Sequence, residues 1–327
     1  MSATVDVSCS FPPGPRTVEY AELAERLGYR RVWLLDSPAL YADVWATMAR
    51  CADRTERVGV ATGVLVPGLR HVMTTAAAIA TIESIAPGRV AVAIGTGFTG
   101  RHLLGEPVMR WSEVAEYVRQ LRGLLRGDDV EIDGRVLRMC QPDGWAPPRP
   151  ITTPVLVAAN GPKGLAVARE LGDGVMSMQD AYPFEWCACC FGGTVLDDGE
   201  ERSSARALDA VAPLIAFTYH YVYQVAGVAV DTMPDGARWR AAVERVPAAT
   251  RHVAVHGGHL VALTDADRAI VGPQLVTESY AMTADEVRAR IDGLAAAGGT
   301  EIVYGPMGSD VPRELRALAR AAGLAGA

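Results

Sequence analysis

The sequence predicts an α/β fold of the (β/α)8 barrel type, with an insertion before the last βα unit. Three observations carry this expectation. Apolar strand-like runs alternate with helix-like segments, and counting them gives eight strands. No polar linker separates the repeats, so residues 1–327 read as one domain. Several of the runs end in small residues, at the strand ends where a barrel carries its site.

The elements follow in order. Residues 5–10 form the first strand, 16–27 a helix, 31–36 (RVWLLD) the second strand and 43–54 a helix. Residues 58–64 are almost all apolar with little alternation, as in a strand buried on both faces of a parallel sheet. The segment 71–86 is nearly uncharged and rich in Ala and Thr, so this helix packs on the sheet and on another helix or subunit. Pro87-Gly88 stops it. The strand 89–95 runs into Gly95-Thr96-Gly97, where missing side chains let a flat ring lie against backbone. A helix at 112–125, a Pro-rich connection at 141–154, a strand at 154–159 and a helix at 163–171 come next, then strands at 174–178 and 185–195. A long apolar helix spans 203–224 with Pro213 as a possible kink, and a helix at 284–297, a strand at 301–305 and a helix at 313–322 close the chain. Two stretches fit the repeat badly. Residues 178–185 leave no room for a helix, and 231–283 is too long for a plain loop, so it reads as an insertion over the barrel mouth or a dimer element.

Composition narrows the function. Half the residues are apolar, 21% are charged, the net charge is −7 and no Lys/Arg-rich run occurs. This argues against nucleic acid or an anionic membrane as partner and leaves a small-molecule substrate. The first residues lack a signal-peptide pattern and no run approaches eighteen apolar residues, so a cytoplasmic location is expected. Three of the six cysteines crowd into EWCACC, read as a buried strand of small apolar thiols rather than a zinc or redox site. His252, His256 and His259 have the spacing of one helical face, yet Gly257-Gly258 and the neighbouring valines argue against a regular helix. A polar lid or interface loop is preferred there, and no metal is expected.

Two further places carry chemistry. The loop Ala158-Ala159-Asn160-Gly161-Pro162-Lys163-Gly164 follows a strand and opens a helix, so its amides and the helix dipole suit a phosphate. Lys163 is the chain's single lysine; it serves either that phosphate or ordinary helix-start chemistry. Asp36 ends the second strand, where it bonds a ring substituent or substrate, or else caps the next turn with Ser37. His71, Asp180, Tyr182, His220 and Tyr221 are further polar candidates at strand ends or on inward helices.

The segments AERLGYRRVWLLD (24–36), ATGVLVPGLRH (61–71), AIATIESIAPGRVAVAIGTG (78–97), PVLVAANGPKGLAVARELGDGV (154–175) and TADEVRARIDGLAAAGGTEIVYGPMG (283–308) resemble, in order, the luciferase-like flavin and deazaflavin oxidoreductases. The resemblance is strongest to the branch of methylenetetrahydromethanopterin reductase, which uses coenzyme F420. It implies a TIM barrel, a homodimer and hydride transfer between F420 and a small organic substrate. An FMN-dependent monooxygenase and a non-catalytic flavin-binding protein are the alternatives. The resemblance further implies catalytic roles for Asp36 and His71. It implies cofactor contacts from Asp36, Thr62, Gly63, Val64, Gly95, Thr96, Gly97, the 158–163 loop, Ser177 and Met178. The substrate pocket would take Ser10, Phe98, Tyr182 and His220, and a non-proline cis peptide behind the ring would fall at Gly63-Val64. Three positions depart from the family: Ser37 stands where many members have His, Phe98 where relatives carry a carboxylate, and Ser8-Cys9-Ser10-Phe11 where the reductases have an acid.

Overall fold

The computed structural model describes residues 5–178 and 180–326. The first half runs β1 (Asp6–Phe11), α1 (Thr17–Arg26), β2 (Arg31–Leu34), α2 (Val44–Arg54), β3 (Gly59–Leu65), α3 (Val72–Ile85), β4 (Val90–Ile94), α4 (Phe98–His102) and α5 (Trp111–Arg126). A hairpin of β5 (Val130–Ile132) and β6 (Arg135–Leu137) precedes β7 (Val155–Ala158), α6 (Pro162–Leu171), β8 (Gly174–Ser177), β9 (Cys187–Val195) and α7 (Ala205–Ala226). Then come α8 (Gly236–Val243), α9 (Ala248–Val255), α10 (Asp265–Arg268), β10 (Ala281–Met282), α11 (Ala284–Ala296), β11 (Glu301–Pro306) and α12 (Val311–Ala322).

Eight parallel strands form the wall in the order β9-β11-β1-β2-β3-β4-β7-β8, and pairing of β8 with β9 closes it. The (β/α)8 expectation is therefore met, strand for strand. Side chains alternate across this wall. Trp33, Ala61, Ala91, Ala93, Leu156, Met176, Ala188 and Val303 pack inside the barrel. Their neighbours in sequence, such as Leu34, Val60, Val92, Val157 and Ile302, pack outward under the helices. One indole is offset by four alanines, which is how a closed barrel reaches full packing inside.

The N-terminal end of the barrel is plugged by a polar knot. Glu301 accepts hydrogen bonds from Ser8 Oγ (2.5 Å), Arg31 (2.9 Å), Trp33 Nε1 (2.9 Å) and Trp186 Nε1 (2.8 Å). Four donors on a buried carboxylate satisfy its lone pairs, and the Arg31 guanidinium also lies 4.6 Å from the Trp186 ring centroid.

The structure adds elements that periodicity did not reveal. The β5–β6 hairpin is one, and the short α4 directly after Gly97 is another. No helix lies between β8 and β9 among the described residues, as the short spacing required. The insertion at 231–283 holds three short helices, α8, α9 and α10, and with α7 it builds a second apolar core around Tyr219, Trp239, Val243 and Val255. Residues 248–255 form α9 despite their β-branched valines, a correction to the expected irregular loop; the helix ends just before Gly257-Gly258. Three alanines and burial of Val255 against the second core outweigh the weak intrinsic preference of Val. No helix among the described residues is long and apolar enough to cross a membrane.

Replacing Glu301 with Ala strands the buried Arg31 charge, so urea unfolding is expected to lose about 3–5 kcal/mol. Breaking the exposed Arg16–Glu19 pair the same way is expected to cost less than about 1 kcal/mol.

Candidate functional site at the barrel mouth

At the opposite end of the barrel, the uppermost inward positions have almost no side chains. Ser10 continues the inward face of β1, paired with Trp33. Gly63 pairs with Ala93, and a Cβ placed on it would stand 3.1 Å from Trp33 Cβ. A Cβ on Gly95 would lie 3.0 Å from Val64 Cγ2 and 3.6 Å from Ala158 Cβ. On the far side of the mouth, a Cβ on Gly305 would lie 2.9 Å from the Met307 methyl and 3.5 Å from Ser10 Oγ, while one on Gly192 would meet the Gly305 carbonyl at 3.2 Å and Leu214 Cδ2 at 3.3 Å, so Met307 and Leu214 partly fill this side. Together these positions make a shallow bowl of backbone and small apolar groups on top of the packed interior. Gly63-Val64 is a non-proline cis peptide, as the resemblance implied. Gly97 needs its missing side chain for a second reason: its φ of 81° is left-handed, and a Cβ there would come within 2.4 Å of Val66 Cγ1.

Thr62 does not join the bowl. It pairs with the outward-facing Leu34 and Val92, so it is buried on the helix side of the sheet, where its hydroxyl has no partner. The period-2 alternation, one residue out of step with Ala61 and Gly63, is the reason.

Asp36 is buried beside the bowl. Its Oδ2 accepts from Arg70 (2.6 Å) and from the Val66 amide (3.3 Å), while Oδ1 is buried with no protein partner. Burial outweighs the guanidinium and lifts the carboxyl above its ordinary pKa. Arg70 also pairs with Asp43, at 3.1 Å. The structure thus couples Asp36 to Arg70 rather than to His71. The latter is exposed, and its Nδ1 caps α3 by accepting from the Met73 amide at 3.1 Å. Arg70 was not singled out from the sequence; it is an extended residue between the 3₁₀ turn Pro67–Leu69 and the next helix, which gave no periodic signal.

The 158–164 loop sits at one side of the mouth. Gly161 precedes α6, and Asn160, Gly161, Pro162 and Lys163 are exposed with no side-chain cap on the helix start. Asn160 shapes the loop: its Oδ1 accepts from Ser177 Oγ and the Met178 amide (both 3.0 Å), and its carbonyl accepts from the Tyr182 hydroxyl at 2.9 Å. Tyr182 and Ser177 therefore hold this loop, and Met178 is exposed beside it. The carbonyl of Thr96 accepts from the Met109 amide.

Phe98 begins α4 and faces an aromatic group from α7 and the insertion. Its ring lies 5.2 Å from Tyr221, 4.7 Å from His102 and 6.4 Å from His256. His220 is not in contact with the bowl residues as a free polar group; it is buried and held by Asp267 at 2.9 Å. Desolvation, aided by mutual repulsion with neighbouring histidines, holds His256 and His259 down to about 3, so both are uncharged. A separate groove of about 780 Å³, lined by Pro87, Trp145 and Pro148 among others, lies at the N-terminal ends of β4 and β7, the wrong end of a barrel for a site.

Fold and mouth together define a (β/α)8 barrel whose C-terminal end is lined by small residues. A family model described as luciferase-like monooxygenase matches residues 4–186, and the chain belongs to that family. It is 26% identical to the 5,10-methylenetetrahydromethanopterin reductase of Methanolobus tindarius over 94% of this chain and 95% of that protein. It is 30% identical to the F420-dependent hydroxymycolic acid dehydrogenase of Mycobacterium tuberculosis over 49% and 48% of the two chains. Among solved structures, the coenzyme F420-dependent tetrahydromethanopterin reductase of Methanopyrus kandleri superposes with a TM-score of 0.67 at 18% identity, covering 97% of this chain and 98% of that one.

Exchanging Asp36 for Ala removes the acceptor of the Val66 amide and half of the Arg70 anchor. Stability is expected to fall by about 1–3 kcal/mol. Hydrogen exchange should speed up at the Val66 amide and leave the β9–β11 amides unchanged.

Proposed function

We propose that the protein is an F420-dependent oxidoreductase that passes a hydride between the deazaflavin and a small organic substrate. The observation that carries this reading is the bowl of Ser10, Gly63, Val64, Gly95, Ala158, Gly192 and Gly305, which offers flat backbone where a tricyclic ring needs it. The relatives named above, two of them described as F420-dependent, support the choice of ring.

The residues present fit such a cofactor. Asp36 Oδ1 is a buried acceptor with no protein partner, suited to a ring N–H. The open start of α6 with Lys163 suits an anionic tail. Bound F420 supplies two-electron hydride chemistry. The chain's part is to orient and to exclude water: Gly63-Val64 and Gly95 support one face, and Phe98 with Tyr221 forms an apolar wall at the edge. Phe98 holds no proton, so Asp36, with its lifted pKa, is the titratable group this reading places at the ring. A homodimer belongs to the same reading, supported by α3, which carries Glu83 as its single charge.

The second reading, an FMN-dependent monooxygenase, is favoured by the description of the matching family. Titration of the purified protein with F420 and, separately, with FMN decides between them. F420 is expected to bind at least about tenfold more tightly, about 1.4 kcal/mol. Gly95→Leu should abolish ring binding with an unchanged circular dichroism spectrum. Lys163→Ala should weaken it about two- to fivefold, as an exposed charge contact of about 0.5–1 kcal/mol does. Tighter FMN binding with oxygen consumption would favour the second reading, and failure to bind either ring would overturn both.

A further inference from the structure

Beside Phe98, the insertion and α7 bring three buried histidines to one point. One ring nitrogen each of His220, His256 and His259 lies within 4.8 Å of the other two, and the residues are 2%, 0% and 4% exposed. His220 comes from α7, His256 ends α9 and His259 follows in the next turn. His252, which the spacing grouped with the last two, lies instead against Gly105.

The hydrogen bonds around the three rings settle which nitrogens carry lone pairs. Asp267 Oδ1 accepts from Trp239 Nε1 at 2.8 Å and lies 2.9 Å from His220 Nε2, while its Oδ2 accepts from the Thr264 hydroxyl and amide at 2.7 and 2.9 Å. A carboxyl that already takes three donors on its two oxygens acts as an acceptor, so its contact with His220 places that ring's proton on Nε2. The Nδ1 of His220 is then a lone pair, buried and without a partner. The Nδ1 atoms of His256 and His259 face each other at 3.3 Å, and His259 Nε2 lies 3.2 Å from Thr99 Oγ1. His256 Nε2 is also buried without a partner. No placement of protons gives the lone pair of His220 a donor.

We propose that His220, His256 and His259 bind a divalent transition-metal ion, zinc in the first instance. Imidazole nitrogen suits zinc, and a tetrahedral ion with bonds of about 2.0–2.1 Å has a ligand N···N edge of about 3.3 Å. The His256–His259 separation already equals that edge. The other separations, up to 4.8 Å, close by a small turn of the rings around the ion. The Asp267–His220 contact is the carboxylate–histidine arrangement that fixes the tautomer of a metal-bound ring, and Thr99 does the same for His259. Three protein ligands leave a fourth coordination position for water or another small ligand. The ion would pin the insertion to α7 and, through Thr99, to α4 at the mouth. This proposal is independent of the identity of the ring cofactor.

The test is metal stoichiometry of the full chain without an affinity tag. Protein stripped with EDTA is titrated with zinc against a chromophoric chelator, and with cobalt(II) for its visible absorption. One equivalent of zinc, tetrahedral cobalt bands and a rise in melting temperature are expected. His220→Ala and His256→Ala should lose all three, and His252→Ala should lose none. Asp267→Asn keeps every ligand and should weaken binding about 10–100-fold, the usual effect of removing a partner behind a ligand. F420 binding, followed in parallel, reports on the barrel mouth separately. No uptake by folded wild-type protein would make the three rings a packing cluster only and overturn the proposal. Uptake unchanged in folded His220→Ala would overturn it as well.

Discussion

Closure of the barrel by the β8–β9 pairing is the constraint from which the rest follows. Eight strands enclose a space just large enough for one or two layers of side chains, so every inward position competes for volume with those on the neighbouring strands. Trp33 takes a large share, and Ala61, Ala91, Ala93 and Ala188 make room for it. Above that layer the inward residues shrink to Ser10, Gly63, Gly95, Gly192 and Gly305. These positions admit little else, because a Cβ on Gly63, Gly95 or Gly192 would stand 3.0–3.2 Å from a neighbouring atom, so the small residues are what let the strands and the layer below approach this closely.

The two ends of the barrel handle buried charge in opposite ways. At the N-terminal end Glu301 has a donor for each of its lone pairs and a guanidinium beside it, so it locks four strands' worth of side chains into one arrangement. At the mouth Asp36 is satisfied on one oxygen only. A half-satisfied buried carboxylate is unfavourable for stability and useful for binding, because a ligand donor placed there recovers the missing hydrogen bond. The asymmetry fits the general division of a barrel into a stabilising end and a working end.

Much of this was legible in the sequence. Strands buried on both faces appear as short apolar runs, and 58–64, 89–95 and 154–159 match β3, β4 and β7 within a few residues. The glycines at 63, 95 and 97 stood out because they end such runs. What escaped has specific causes. Gly192 and Gly305 sit inside the runs CACCFGGTV and EIVYGP, where nothing in the local pattern marks them as facing the mouth. Thr62 was assigned to the bowl because nearness to a strand end was read without its parity. Arg70 depends on a turn, and the β5–β6 hairpin on strands of three residues, too short to show a period. The histidine group depends on contacts between His220 and residues 36 or more positions away: His220 lies on α7, which was read as a helix, but His256 follows α9, which was not separated from loop.

Phe98 links these strands of argument. The resemblance implies a carboxylate at this position, and a charged group there would need solvent or a counter-ion. Here the neighbouring ground is filled by Tyr221, His102 and His256, with Phe217 packed 5.1 Å from His259. A carboxylate at this half-buried position would lose part of its hydration against these rings, whereas a phenyl ring gains apolar contact. The exchange of acid for Phe and the burial of neutral histidines are therefore one packing decision, made by the insertion that covers this side of the mouth. The Tyr41 hydroxyl, which donates to the His259 carbonyl at 2.6 Å, ties the same cover to the loop after β2 that carries Asp36. Cover and carboxylate are thus held in a fixed relation.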